Sequence, residues 1–446
     1  MSAFAIDANR STPQLAALFD LVSQRTGILR SLQRRQKGVN EPTDVIIYDA
    51  WLSHFDSRRA DVSERWTSGK GATEEDAMLG AVGEAMERYC ASHVPERQLR
   101  RAAAAELVGA VPPSEVPLYS PSQYAREGFP FEPWRADAEL LWIRALEFGS
   151  DQTVWIPASL AFLAERGGQS RDSLCASTSS GLAAGPDLET ALRSAVLEVL
   201  EREAFLITWL NGLSVPEIDY SAIGGVADRI RRCFQSWGVD VRAFQLATDM
   251  PVSAVAAVAV DQTGYGPTAA MGLGCELDPE RALQKAMLEV CEVHEALGRT
   301  CRRGSAVRLE AYADVSTPSD HAAFFFRRDH LHELEFLLKP SSKMRIEEIP
   351  FSPGQSIRED LQVMRRALNR AGCRFFFRDL TTPDLLPFPV RVVRAMITEV
   401  QPMHFGYGLE RLGGRRLYEL PFKLGLTEKP TSEASLNRCP HPLASG

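Results

Sequence analysis

The apolar and polar positions of this chain switch between two periods, the two-residue period of half-buried strands and the 3.6-residue period of helices. Leu15, Leu18, Leu21 and Val22 recur at helical spacing after a Ser-Thr-Pro start and predict a helix over residues 12–36. Its tail, with Arg30, Arg34, Arg35 and Lys37, is a basic run, read first as a solvated face and second as a docking surface for an acidic peptide. Asp44–Trp51 reads as a strand, and Glu139–Glu147 and Gln152–Ile156 read as two more around a turn at Gly149-Ser150-Asp151. Residues 97–140 look irregular apart from a short helix near Arg101–Val108. Val241–Leu246, Val252–Val260, Arg374–Arg378 and Val390–Val400 are further strands, and Ser356–Ala371 is a helix. The polar stretch 427–446, with Pro440 and Pro442, lacks a regular period. Helices and antiparallel strands interleave, which predicts an α+β fold.

Three segments share one pattern. SGKGATEEDAMLGAVGEAMER (Ser68–Arg88), SSGLAAGPDLETALRSAVLEVLER (Ser179–Arg202) and MGLGCELDPERALQKAMLEVCEV (Met271–Val293) each run from a glycine-rich stretch, expected to be a turn, into a helix with two carboxylates three residues apart. The pairs are Glu84 and Glu87, Glu198 and Glu201, Glu289 and Glu292. The alanines align as well, at Ala77 and Ala81, Ala191 and Ala195, Ala282 and Ala286. Positions i and i+3 share a helix face, so each acidic pair points one way and flanks a stripe of small residues. One Glu-x-x-Glu alone is an ordinary solvated face. Three copies with common Ala spacing predict that the helices pack together and that their carboxylates converge. Converging buried carboxylates need a cation among them, and a hard divalent ion with oxygen ligands is the natural one. The glycine runs ahead of the helices suggest phosphate approach at helix N-termini, and Lys70 adds a positive charge. Arg88 and Arg202, directly after their Glu pairs, can neutralise the acids or hold a phosphate.

Length and composition narrow the classes. At 446 residues the chain is long for one core, but the repeats stand 114 and 91 residues apart, too wide and uneven for a solenoid. They fit one large domain around a pseudo-repeated centre. A net charge of −8 argues against nucleic-acid binding. No apolar run is long enough for a membrane span, and the first residues lack the charged and apolar regions of a secretory signal. The eight cysteines form no Cys-x-x-Cys pair, which disfavours zinc and suits reduced, cytoplasmic thiols. SGKG falls short of a P-loop, and no G-x-S-x-G elbow is present. His404, between apolar residues in PMHF, reads as a core histidine with its polar atoms satisfied. The ending CPHPLASG is proline-patterned. Such a segment has little entropy to lose when held extended in a groove, although tails of this composition are commonly frayed.

These residues resemble the YcaO superfamily. The resemblance covers nearly the whole chain: SGKG with EAMER, SSGLAAG with EVLER, the third helix, and then DLTTPD at 379–384, QPMHFG at 401–406 and RRLYELP at 415–421. With the proline-bearing tail, these segments are similar to the branch that makes azolines in ribosomal peptides. The resemblance implies an ATP-dependent cyclodehydratase acting on Cys, Ser or Thr of a precursor peptide, with ATP and Mg²⁺ as cofactors. It implies an N-terminal segment (1–60), a catalytic domain (61–426) and a tail (427–446) returning to the active site. By the same resemblance, Glu84, Glu87, Glu198, Glu201 and Glu289 hold the metal, and Ser68, Lys70, Arg88, Ser179, Ser180 and Arg202 join them at the nucleotide. Pro440, His441 and Pro442 assist catalysis by proton transfer or positioning. A separate leader-binding partner, a flavin dehydrogenase and a homodimer complete the expectation. The chain departs from the family pattern at Ala444, where a third proline is usual, at Ser180, where Asn is frequent, and at Glu292, where Gln is frequent. Thioamide or amidine formation and a non-catalytic peptide-binding scaffold are the alternatives.

Overall fold

Three sheets carry the fold in the computed structural model, which describes residues 13–38, 41–53, 66–150, 152–163, 173–302, 309–351 and 353–443. β1 (Leu29–Arg34), β2 (Ile46–Leu52) and β3 (Trp66–Gly71) form an antiparallel N-terminal sheet. β4 (Arg100–Ala103), β5 (Glu139–Glu147), β6 (Thr153–Pro157) and β7 (Leu182–Gly185) belong to a second sheet. β8 (Glu217–Asp219), β9 (Val239–Gln245), β10 (Ser253–Asp261) and β11 (Ala269–Glu276) make the third, which β12 (Lys343–Arg345) extends as its one parallel neighbour. β13 (Phe375–Asp379) and β14 (Arg391–Ile397) return to the second sheet, whose order is β4-β5-β13-β14-β7 with β6 beside β5. The architecture is α+β with largely antiparallel strands.

The glycine-rich stretches ahead of the first and third glutamate helices are strands rather than turns, which corrects the reading of those repeats, whereas the second opens on a turn through Ser180 and Gly181 that runs into β7. Ser68-Gly69-Lys70-Gly71 ends β3, Leu182–Gly185 is β7, and the third run is β11. The first glutamate helix (Glu74–Ser92) lies on β2 and β3, the second (Leu188–Leu210) on β7 and β14, and the third (Pro279–Arg302) on β10 and β11. The glycines permit close approach. A Cβ on Gly69 would sit 2.0 Å from the backbone nitrogen of Ala81, and one on Gly272 would sit 2.2 Å from that of Val290. Gly274 meets the Ala282 carbonyl and Gly185 the Ala191 nitrogen in the same way. The six aligned alanines are all fully buried on the helix side of these contacts. Glycine on the strand and alanine on the helix are thus two halves of one packing rule. The helix N-termini are also already occupied: Thr73, Asp187 and Asp278 accept hydrogen bonds from the first-turn amides of their own helices.

The remaining elements follow the periodicity with local exceptions. The helix expected over 12–36 stops early: Pro13–Leu18 is helical, Phe19–Leu21 is a 3-10 turn, and the basic run lies on and after β1. The turn through Thr26 and Gly27 redirects the chain so that Leu29 is buried at the head of a strand. The helix near Arg101–Val108 is instead β4 followed by a 3-10 turn, Ala104–Glu106. Ser356 caps the helix Ile357–Arg370, as its position before the periodic run suggests. The 60/61 domain boundary and the turn residue Asp151 lie outside the described residues. No helix among the described residues is long and apolar enough to cross a membrane.

Candidate functional site

Because the three helices pack on equivalent strands, their acidic pairs meet in a ring. Ser68, on β3, is the first link: its amide donates to Glu84 Oε2 at 3.3 Å, and its hydroxyl donates to Glu292. Lys70, two residues along the same strand face, lies 3.2 Å from Glu289 Oε2 and 2.9 Å from Glu292 Oε2. The first and third helices are thereby stitched together across more than two hundred residues of sequence. On the other side, the Ala184 amide donates to Glu87 Oε1 at 2.7 Å and the Gly181 amide donates to Glu198 Oε2 at 3.3 Å. Arg88 faces Glu84 at 3.4 Å, while Arg202 faces Glu201 at 3.7 Å and Glu198 at 4.0 Å.

The ring carries more negative charge than its own residues cancel. Within ion-pair distance six carboxylates face three cationic side chains, Lys70, Arg88 and Arg202, while Arg394, Arg35 and Lys285 act on Glu198, Glu292 and Glu201 from farther off. Burial, then repulsion from Glu198 and Glu84, pushes the Glu87 carboxyl well above the usual range. Burial raises Glu198 as well. Burial, with Glu289 and Glu198 adding repulsion against the opposing pull of Arg202, pushes Glu201 up to about 7. Glu292 moves the other way, downward, because Lys70 and Ser68 more than offset its burial. Ser180 Oγ and Arg202 Nε and Nη1 are buried and make no hydrogen bond. A ring with more carboxylates than ion-paired cations, beside one hydroxyl and two guanidinium nitrogens without hydrogen-bond partners, fits a divalent cation carrying an anionic ligand. Among the described residues no three carboxylate, imidazole or thiol groups close a cage by themselves. The converging acids therefore do not form a self-contained metal cage. This suits an ion that takes one or two protein carboxylates and completes its shell from ligand and water.

The expected site residues divide into three sets. Glu84, Glu87, Glu198, Glu201, Glu289, Ser68, Lys70, Arg88 and Arg202 come together in the ring. Ser179 and Ser180 stand just before Gly181, where the Ser179 carbonyl accepts the Leu182 amide. Pro440, His441 and Pro442 are buried on the second helix. The tail runs antiparallel to that helix: the Asn437 amide donates to the Leu210 carbonyl at 2.7 Å, Trp209 Nε1 donates to the Cys439 carbonyl at 2.8 Å, and His441 packs edge-on against Phe205. Phe205 is one turn beyond Arg202, and Arg202 is among the charges acting on His441. The His441 ring itself sits in an imidazole cluster. Its Nε2 donates to the His404 carbonyl at 2.9 Å, and it stacks on His321 at 4.1 Å between centroids. Ala444, Ser445 and Gly446 lie outside the described residues.

Sequence reasoning left several participants out of the site. Glu292 stood in the pattern but not among the expected ligands, and it holds Ser68 and Lys70. Glu203 follows Arg202 and accepts the Gln401 amide at 3.1 Å and a forked pair of bonds from Arg416 at 2.8 and 2.9 Å. QPMHFG and RRLYELP are therefore tied to the second glutamate helix, and their position in the resemblance was the signal. His404 is buried, but its Nδ1 has no hydrogen-bond partner, so it is not the satisfied core histidine expected.

The chain matches the family model described as YcaO cyclodehydratase, ATP- and Mg²⁺-binding, over residues 68–401. An uncharacterised protein of Methanothermobacter thermautotrophicus is 30% identical over 355 residues, covering 78% of this chain and 84% of that protein. A heterocyclase solved in complex with substrate and cofactor superposes with a TM-score of 0.79 at 23% identity, over 97% of this chain and 57% of that one. This chain thus spans little more than half the length of that heterocyclase. YcaO from Methanopyrus kandleri, solved with AMPPCP and Mg²⁺, superposes with a TM-score of 0.59 at 20% identity, over 84% of this chain and 86% of that one.

Proposed function

The chain belongs to the YcaO family, whose members bind ATP and Mg²⁺, and from that premise we propose that it is a peptide cyclodehydratase acting on a ribosomal precursor. In this reading the thiol or hydroxyl of a Cys, Ser or Thr adds to the preceding backbone carbonyl. The carbonyl oxygen departs as phosphate, and a thiazoline or oxazoline remains. ATP with Mg²⁺ supplies the phosphoryl group that turns that oxygen into a leaving group. The observation that carries the reading is the ring itself: three strand–helix units converge six carboxylates on three ion-paired cationic side chains, Lys70, Arg88 and Arg202.

The chain's own residues supply positioning and charge. Glu84, Glu87, Glu198, Glu201 and Glu289 would stand around the metal, one or two of them as direct ligands, and Ser68, Lys70, Arg88, Ser179, Ser180 and Arg202 would meet the nucleotide. Lys70 neutralises Glu289 and Glu292 and keeps the third helix against β3. The tail, through Pro440, His441 and Pro442, positions the second helix beside the reacting peptide. Leader recognition falls to a separate partner protein, and any oxidation of the rings falls to a flavin dehydrogenase. Incubation with ATP, Mg²⁺, the precursor peptide and its partner is expected to give a loss of one water per ring by mass spectrometry. A gain of sulfur in place of oxygen would move the assignment to thioamide formation. ATP hydrolysis with no change in peptide mass, all components folded, would remove the cyclodehydratase reading.

A further inference from the structure

A recess of about 620 Å³, counting the part open to solvent, lies between the second glutamate helix, β14 and the segment leading to Arg411. Its described lining holds three guanidinium groups, Arg202, Arg394 and Arg411, and no carboxylate. The groups that orient two of these arginines are neutral. Arg394 donates to the Leu160 carbonyl at 3.1 Å and the Thr178 carbonyl at 2.9 Å, and Arg411 donates to the Ala176 carbonyl at 3.0 Å. Such contacts fix direction without cancelling charge. Burial pushes Arg394 down to about 10 against the pull of Glu198, and Arg411 adds repulsion. Arg202 donates no hydrogen bond from Nε or Nη1, and Ser180 Oγ and Gln401 Oε1 are also unpartnered. Arg202 is shared with the ring, 3.7 Å from Glu201 and 4.0 Å from Glu198.

Converging positive charge in one recess, with no carboxylate in its lining, calls for an oxyanion. We propose that this recess is an orthophosphate subsite, distinct from the nucleotide's own phosphate contacts, formed by Arg202, Arg394 and Arg411. The inference rests on the proposed reaction, which releases phosphate beside the ring. Arg202 belongs to both places and gives the departing anion a continuous cationic contact.

The test uses the full chain without peptide, titrated calorimetrically with inorganic phosphate at constant ionic strength. Saturable binding is expected, and it should persist when Mg·ADP is also saturating. Arg411→Gln should weaken phosphate binding by about tenfold or more, with Arg411→Lys intermediate and Mg·ADP affinity within about twofold of wild type. Retained Mg·ADP affinity shows that the variants are folded, and the wild-type titration decides the matter if they are not. Absent phosphate binding, displacement of phosphate by Mg·ADP, or equally tight binding of acetate would each overturn the proposal. No step depends on turnover, so a failure to dehydrate the peptide leaves this result standing, and the converse also holds.

Discussion

Glu198 is the residue at which the halves of the site meet. It accepts the Gly181 amide, faces Arg202, and acts electrostatically on Glu87, Glu201 and Arg394. Its charge is costly to the fold, because burial raises its own carboxyl and its charge helps to raise that of Glu87. Glutamine keeps the size and the acceptor for Gly181 but removes that charge. Glu198→Gln is therefore expected to leave the nucleotide-free melting temperature unchanged or higher while lowering ATP turnover by about a hundredfold or more. Thermal denaturation and phosphate release measure the two sides separately. Near-normal turnover, or a fall in melting temperature that parallels the loss of activity, would make Glu198 a structural residue.

Among the elements, the glycine strands and alanine helices set the ring's dimensions. In the first strand–helix unit two glycines make opposite predictions, Gly69 on β3 and Gly83 on the helix. A Cβ on Gly69 would meet the Ala81 nitrogen at 2.0 Å, so Gly69→Ala must push the helix off β3, costing about 1–3 kcal/mol and separating Ser68 and Lys70 from their glutamates. Gly83, in the helix, would place its Cβ 3.6 Å from Ala184 Cβ, an ordinary contact, so Gly83→Ala should stabilise by up to about 1 kcal/mol through helix propensity. Urea denaturation of both variants checks the opposite signs; two equal losses would show that the close contact is not the controlling feature. The same elements explain what was legible in the sequence. The glutamate and alanine spacings repeat at helical period and mark the three helices directly. β3, β7 and β11 escaped because glycine lacks the branched side chains that signal strands; their strand character comes from a helix laid on top. The link from Ser68 to Glu292 has no local signature, since it exists only after two packing units close on each other. The basic run was misassigned because leucine spacing extends the helical pattern past the turn at Gly27.

Across the whole molecule, the tail and the ring respond to pH with opposite signs. Burial pushes His321 down to about 4, and His404 and His441 well below their ordinary range, each worsened by a neighbouring charge or imidazole except His321, which its bond to the His441 carbonyl supports. The His321 tautomer agrees: its Nδ1 donates to that carbonyl and its Nε2 accepts the Gly406 amide, both at 2.9 Å. The unfolded chain takes up protons below about pH 6.5 and the folded cluster resists, so this stability is complete above about 6.5 and declines as pH falls toward about 4. For His321 alone the full effect is roughly 3 kcal/mol. The ring runs the other way. Glu201, raised to about 7, holds a proton in the fold that the unfolded chain releases, so its contribution is present in acid and lost as pH rises through about 7. Mild acid should therefore loosen the tail while relieving the ring. Hydrogen exchange, corrected for its intrinsic pH dependence, is expected to show falling protection of 437–443 between pH 6.5 and 4.5, with no fall in 74–92. His441→Phe should keep the tail seated against Phe205 and reduce the pH dependence, because an apolar ring fills the same buried place without a proton to gain. Parallel loss of protection in both segments would mean that tail and ring unfold as one unit, and the tail would then be no separate device for positioning the second helix.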